Sequence, residues 1–172
     1  MMHADLDRLA QDLGRMLMAR GWHIGLAESC TGGLVGHAIT NVAGSSSFFL
    51  GGIIAYANEV KRDVLGVEEN LLRDHGAVSE PVALAMARRA RAVLSTEVGL
   101  SVTGIAGPSG GTPTKPVGTV FVALSCPLGE LVRHFLWHGD RSTNKMLSAR
   151  AALALACEAL AQGPSEAAAP RT

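Results

Sequence analysis

The segment LAESCTGG sets Glu28, Ser29, Cys30, Thr31, Gly32 and Gly33 between two apolar runs of different period. Trp22, Ile24 and Leu26 alternate with small or polar neighbours, as in a short strand, whereas Leu34, Val35, Ala38, Ile39 and Val42 recur at helical spacing. The polar group therefore falls on a strand-to-helix turn. Gly32 and Gly33 allow close backbone approach there, and the unpaired N–H groups of a helix start can face an anion. A hydroxyl or thiol at such a turn has an oxyanion site beside it, formed by the N–H groups around Thr31 to Gly33. Capping of the helix by Ser29 or Thr31 is an equally good reading of this stretch alone.

A serine hydroxyl needs a base before it is a useful nucleophile, and no histidine falls within the polar stations. His23, His37, His75, His134 and His138 are scattered, and His3 stands near the start. Lys61 is the better candidate, because burial disfavours an ammonium and can leave a neutral amine. A Ser29–Lys61 dyad results. The alternative is an exposed helix lysine paired with Asp63 or Glu59. Thr103, at the end of an apolar run, could orient the lysine or donate to the nucleophile, and Tyr56 could hydrogen-bond the same cluster. Each also reads as an ordinary strand residue. A second nucleophile is available in Cys30, with Lys61 and Glu28 or Glu59 assisting.

Thr103 opens a loop rich in glycine and proline, GIAGPSGGTPTKPVG, whose Gly104, Gly107, Gly110 and Gly111 would expose N–H groups to a phosphorylated or flat ligand, with Thr112 beside them. It carries no Walker pattern and no GxGxxG after a strand. Ser45 and Ser46, after Gly44, could offer further donors.

The elements that must position these groups follow from periodicity. Apolar Leu6, Leu9, Leu13, Met16 and Leu17 predict a helix ending before Gly21, and FFLGGIIAY (Phe48 to Tyr56) predicts a buried strand bent at Gly51 and Gly52. Short helices are expected over 60–65 and 71–75. A longer one opens at Ser79 with Glu80 and Pro81 and runs to about 95, its Arg88, Arg89 and Arg91 reading as a solvated face. Strands are expected over 98–104, 119–125 and 131–137, the last two as an antiparallel hairpin, then a helix over 142–161. This alternation predicts a three-layer α/β/α sandwich with a mixed, mostly parallel sheet. In such folds ligands collect beyond strand ends, where Glu28–Gly33, Tyr56–Lys61 and Thr103–Thr112 would converge.

Length and composition narrow the remaining classes. The 172 residues fit one domain, expected over 1–162, with 163–172 as a disordered tail. Fifteen basic residues balance fifteen acidic ones, so no overall field favours nucleic acid or an anionic membrane. No apolar run is long enough to span a bilayer, and the opening residues, with Asp5, Asp7 and Asp12, lack the pattern of a signal peptide. A cytoplasmic location is expected. Cys30, Cys126 and Cys157 form no CxxC pair, so neither a disulfide framework nor a metal site is indicated, and no cofactor is expected.

The motifs ESCTGG (28–33), GSSSFFLGGIIAYANEVK (44–61), LGV (65–67), HGAVSEPVA (75–83), VTGIAGPSGGTPTKPVGTV (102–120) and GDR (139–141) resemble those of the CinA C-terminal domain family. Stand-alone members of that family are nicotinamide mononucleotide deamidases. The resemblance implies a metal-independent amidohydrolase that converts nicotinamide mononucleotide and water to nicotinate mononucleotide and ammonia. It further implies an α/β/α fold and a homodimer or higher homo-oligomer. The family's serine, lysine, strand-end threonine and tyrosine fall on Ser29, Lys61, Thr103 and Tyr56, and its GDR arginine on Arg141, a candidate phosphate contact. Ser109 stands where members often have glycine or aspartate, and Asn144 and Lys145 stand where many have an arginine. Larger relatives carry a further domain resembling molybdopterin-binding proteins, which is not expected within these residues. The alternative function is a non-catalytic nucleotide-binding or interaction module.

Overall fold

The computed structural model describes residues 2–161. The expected tail at 163–172 lies outside them. Five strands, β1 (Ile24–Glu28), β2 (Phe49–Ile54), β3 (Val98–Gly104), β4 (Thr119–Cys126) and β5 (Gly129–Leu136), form one sheet in the order β2-β1-β3-β4-β5. β1 is parallel to both β2 and β3, β4 is antiparallel to β3, and β5 is antiparallel to β4. Only β4 therefore runs against the common direction. The sheet is mixed and mostly parallel, and it ends in a hairpin.

Helices α1 (Met2–Met18), α2 (Leu34–Thr40) and α6 (Arg141–Ala161) cover one face. On the other lie α3 (Asn58–Asp63), α4 (Glu69–His75) and α5 (Glu80–Val93). All five residues of β1 are buried, as a central strand covered on both faces requires. The larger core packs Leu6, Leu13 and Leu17 of α1 and Leu153, Ala156 and Leu160 of α6 against Leu26, Leu100 and Leu124 of the sheet. A smaller one joins Ala27, Ala55, Leu65, Val82 and Met86 on the α5 side.

Two boundaries matter for function. The first strand, expected from Trp22 to Leu26, runs instead from Ile24 to Glu28. The turn after α1 reaches further, because Gly21 takes a φ of 62° and the Trp22 N–H donates to the Leu17 carbonyl, so the chain extends only from Ile24. This shift makes Glu28 the last strand residue and puts Ser29 at its exit. The helix expected from Val60 begins at Asn58, which places Lys61 in its last turn.

α5 lies close against β3 at Gly99, where a Cβ would sit 2.0 Å from the Ala87 carbonyl oxygen. No rotamer relieves a clash with backbone, so the helix would have to lift from the strand. Gly99→Ala is expected to destabilise the fold by about 3 kcal/mol, measured by urea unfolding. A loss below about 0.5 kcal/mol would show that this contact is dispensable.

Candidate active site

β1, β2 and β3 run parallel, so their C-terminal ends open at the same end of the sheet. The segments that leave them deliver Ser29, Lys61 and the Thr103–Gly110 stretch to a crevice of about 270 Å³. Two backbone hydrogen bonds hold the centre. The Ser29 N–H donates to Val102 O, and the Ala55 N–H donates to Glu28 O, so the exits of β3 and β2 are fastened on either side of the one peptide unit by which β1 ends.

Lys61 is 1% exposed, which excludes the solvated-helix reading, and among the described residues no carboxylate pairs with it. Its Nζ lies 2.8 Å from Ala55 O, 3.1 Å from Tyr56 O and 3.1 Å from Ser29 Oγ. Carbonyl oxygens can only accept. A neutral amine therefore gives its two N–H groups to Ala55 and Tyr56, and its lone pair is left facing the Ser29 hydroxyl. Burial holds the Lys61 pKa below the ordinary lysine value, with Cys30 and Glu59 pulling weakly the other way. Desolvation favours this neutral form, and the geometry accommodates it.

Burial acts oppositely on the neighbouring thiol. The Cys30 pKa is pushed up to about 12, first by desolvation and further by Glu28, against the influence of its own N–H, Lys61 and Lys145. At neutral pH the sulfur is a thiol, and the thiolate that a cysteine nucleophile needs is scarce.

Glu28 is placed differently from the expectation of a substrate-contacting residue. Its carboxylate is 3% exposed and accepts from the N–H groups of Gly33, Val35 and Gly36 at 3.0, 3.2 and 2.8 Å. It caps α2 from the preceding strand, in place of Ser29 or Thr31, because a strand-end side chain pointing along the helix axis reaches donors that a turn residue cannot. The anticipated oxyanion donors change with it. The Gly33 N–H is taken by Glu28 and that of Gly32 by Ser29 O, whereas the N–H groups of Cys30 and Thr31 donate to no other residue among those described. Thr31 itself is buried, and its hydroxyl has no partner among the described residues.

Thr103 lines the crevice, but its hydroxyl donates to Ala77 O at 2.8 Å and so is not aimed as a donor at Ser29. It anchors the α4–α5 loop, whose Ala77 and Val78 form an apolar wall. The Tyr56 ring is exposed. Its hydroxyl accepts from Arg141 Nη2 at 2.9 Å, and Arg141 Nη1 donates to Gly107 O at 2.6 Å. Tyr56 therefore meets Lys61 through its carbonyl rather than its ring.

Gly104, Gly107, Ser109 and Gly110 border the crevice, but Gly111 and Thr112 do not. Gly111 is backed by Val117, and Thr112 closes a local turn with Lys115. Asn144 steadies the loop by donating to Ala106 O. Ser45 and Ser46 lie at the opposite end of the sheet, in a 3₁₀ turn before β2, and the neighbouring Ser47 touches Met18. Their direction excludes them: a segment entering a parallel strand cannot share an end with segments leaving its neighbours. Asn58 also borders the crevice and was missed. The signal available was its spacing, one turn of helix before Lys61.

Among the described residues no three His, Cys, Asp or Glu side chains cluster as metal ligands, and no helix is long and apolar enough to cross a membrane.

A depressed lysine pKa has a measurable sign. Between its folded and ordinary values the unfolded chain holds the extra proton, so this group makes stability rise with pH across that window. Lys61→Met removes the effect. Its unfolding free energy relative to wild type is expected to fall by about 1.4 kcal/mol per unit of pKa depression as pH rises toward the ordinary lysine value. A pH-independent difference would show that the ammonium tolerates this site.

A model of the CinA C-terminal domain matches residues 6–160. A CinA-like protein of Salinibacter ruber is 54% identical over 141 residues, covering 82% of this chain and 34% of that protein. A putative competence-damage inducible protein of Halothermothrix orenii is 50% identical over 149 residues, covering 86% and 36%. The chain thus spans about a third of the length of these curated relatives. The crystal structure of the competence/damage inducible protein CihA from Agrobacterium tumefaciens superposes with a TM-score of 0.88 at 38% identity, covering 92% of this chain and 96% of that one. Competence damage-inducible protein A from Klebsiella pneumoniae gives 0.88 at 34% identity, covering 91% and 98%. On this match in sequence and architecture, the chain belongs to the CinA C-terminal domain family.

Proposed function

We propose that this domain hydrolyses the carboxamide of nicotinamide mononucleotide, releasing ammonia and nicotinate mononucleotide, with Ser29 as nucleophile and Lys61 as base. The observation that carries the reading is the three-point seating of Lys61 Nζ on Ala55 O, Tyr56 O and Ser29 Oγ. Lys61 takes the Ser29 proton as Oγ bonds to the amide carbon. The N–H groups of Cys30 and Thr31, which donate to no other described residue, receive the oxyanion in this scheme, a donor being worth about 3 kcal/mol in comparable sites. Collapse breaks the C–N bond, and Lys61 returns the proton to the leaving nitrogen, which departs as ammonia. Water then adds to the seryl ester with the same base, and the carboxylic acid leaves with Ser29 restored.

A crevice of about 270 Å³ is at the small end of ligand sites and suits a mononucleotide rather than a polymer. Ala77 and Val78 offer a wall for a pyridine ring, and the Gly104–Gly110 stretch with Arg141 offers donors for the phosphate.

Chelator-treated protein incubated with nicotinamide mononucleotide is expected to release ammonia. Ser29→Ala and Lys61→Ala are each expected to lose about 1,000-fold or more in kcat/KM, and Cys30→Ala to stay within about threefold of wild type. The wild-type kcat/KM is expected to rise with pH through the depressed Lys61 pKa, because the neutral amine is the active form. Binding without ammonia release would make this a non-catalytic nucleotide-binding module. Loss of activity in Cys30→Ala with retention in Ser29→Ala would transfer the nucleophile to sulfur.

A further inference from the structure

A second cavity, of about 410 Å³, lies between α1, α6 and the end of β5, and it shares no lining residue with the crevice. Two periodicities build it. Arg133, Phe135 and Trp137 alternate along β5 and its continuation and so face the same way, while Leu147, Arg150, Ala154 and Glu158 recur at helical spacing along α6. Arg8 and Leu9 close it from α1. Its floor is aromatic and held in place. The Phe135 and Trp137 rings stack with centroids 4.8 Å apart, both pack against the main core, and Trp137 Nε1 donates to Ser148 Oγ at 3.1 Å. The walls carry charge that the protein does not balance. Three arginines face one glutamate, and that glutamate is taken by Arg133 at 2.9 Å. Among the described residues Arg8 reaches a carboxylate only at Asp5, 3.9 Å away, and Arg150 enters neither an ion pair nor a hydrogen bond.

We propose that this cavity is a ligand site, separate from the crevice, for a planar aromatic anion: the ring lies against Phe135 and Trp137, and Arg150 and Arg8 receive the carboxylate or phosphate head. Its volume falls within the roughly 300–1,000 Å³ of small-molecule sites, and an apolar floor with a few convergent polar groups is how such sites are built. A flat ring covers stacked aromatics with large apolar contact and a favourable quadrupole arrangement. A guanidinium presents a planar fork of donors that matches either head group, and it is hydrated weakly enough to exchange water for such an anion. Neither half selects the ligand alone. A neutral ring gains nothing from the unpaired arginines, and a bare inorganic anion gains nothing from the aromatic floor. The chain as a whole is electrically neutral, so the attraction is local to this cavity rather than a general field.

Trp137 itself reports binding, without reference to chemistry at Ser29. Trp22→Phe leaves it as the one tryptophan of the chain. Titration with 4-nitrobenzoate and with 4-nitrophenyl phosphate compares the two head groups on rings that quench indole fluorescence, and 4-nitrobenzyl alcohol offers the ring without charge. At least one anion is expected to quench saturably with a Kd below about 1 mM, the tighter of the two identifying the head group, and the alcohol is expected to bind at least about tenfold more weakly. Arg150→Gln is expected to weaken the anion about tenfold. Ala154→Phe, which fills the cavity from an exposed position of α6, is expected to abolish saturable quenching while keeping the wild-type circular dichroism. Calorimetry on the wild-type chain, which needs no variant, is expected to give the same Kd. Absence of saturable binding by both anions, equal binding of the alcohol, or folded Arg150→Gln and Ala154→Phe proteins that bind as wild type does would overturn the proposal.

Discussion

The site depends on burying an amine without giving it a counter-charge. An ammonium moved from water into a protein interior loses solvation that only a carboxylate or several good acceptors can replace. Lys61 has two carbonyls and a hydroxyl as partners and, among the described residues, no carboxylate to offset a charge. Much of the surrounding architecture serves to hold those acceptors still. Ala55 and Tyr56 lie just past β2, with the Ala55 N–H bonded to Glu28 O. α3 is closed behind Lys61 by the Val67 N–H, which donates to Lys61 O, and by Arg89, which donates to Leu65 O from α5. The lysine is thus held by the exits of β1 and β2, and the turn behind it is tied to α5.

Glu28 is the second constraint. The start of α2 presents unpaired N–H groups beside the nucleophile, and an open helix end there would attract any anion. The Glu28 carboxylate fills it, leaving the donors of the Cys30–Thr31 turn as the free ones nearest Ser29. One residue therefore has three duties: its carbonyl fixes β2's exit, its side chain closes α2, and its peptide leads directly into Ser29. This division separates the helix end, which is structural, from the turn, which is available to chemistry.

Fold class was legible because each element repeats its signal over several residues. The alternation around β1, the apolar blocks of β2 and β3, and the 3.6-residue spacing of α1 and α5 all fall on the observed elements to within a few residues. Site residues carry no such redundancy. Nothing local distinguishes the buried Lys61 from an exposed helix lysine beside Asp63, since Ser29, the Ala77–Val78 wall and Thr103, which line the crevice with it, lie far away in sequence. The same absence of redundancy made Ser45 and Ser46 attractive on composition alone, although chain direction excludes them. Glu28 was misread because a shift of two residues in the strand changes its role from a turn ligand to a strand-end cap. Thr103 was correctly set at a strand end, but the loop that takes its hydroxyl lies 26 residues earlier.

Desolvation also bears on the choice between oxygen and sulfur. A lysine–cysteine pair at rest tends toward ammonium and thiolate, two charges that both need solvation, and the surroundings of Cys30 and Lys61 disfavour each of them. A lysine–serine pair at rest is an amine and an alcohol, and both are neutral. Charge then appears only as reaction proceeds, positive on Nζ and negative on the new oxyanion. The Ala55 and Tyr56 carbonyls already face the first, and the Cys30 and Thr31 N–H groups, which donate to no other described residue, would serve the second. Fixed dipoles that wait for charge, rather than ions that hold it beforehand, stabilise the transition state more than the ground state. The burial that weakens Cys30 as a nucleophile is thus the same property that suits Ser29 to the role.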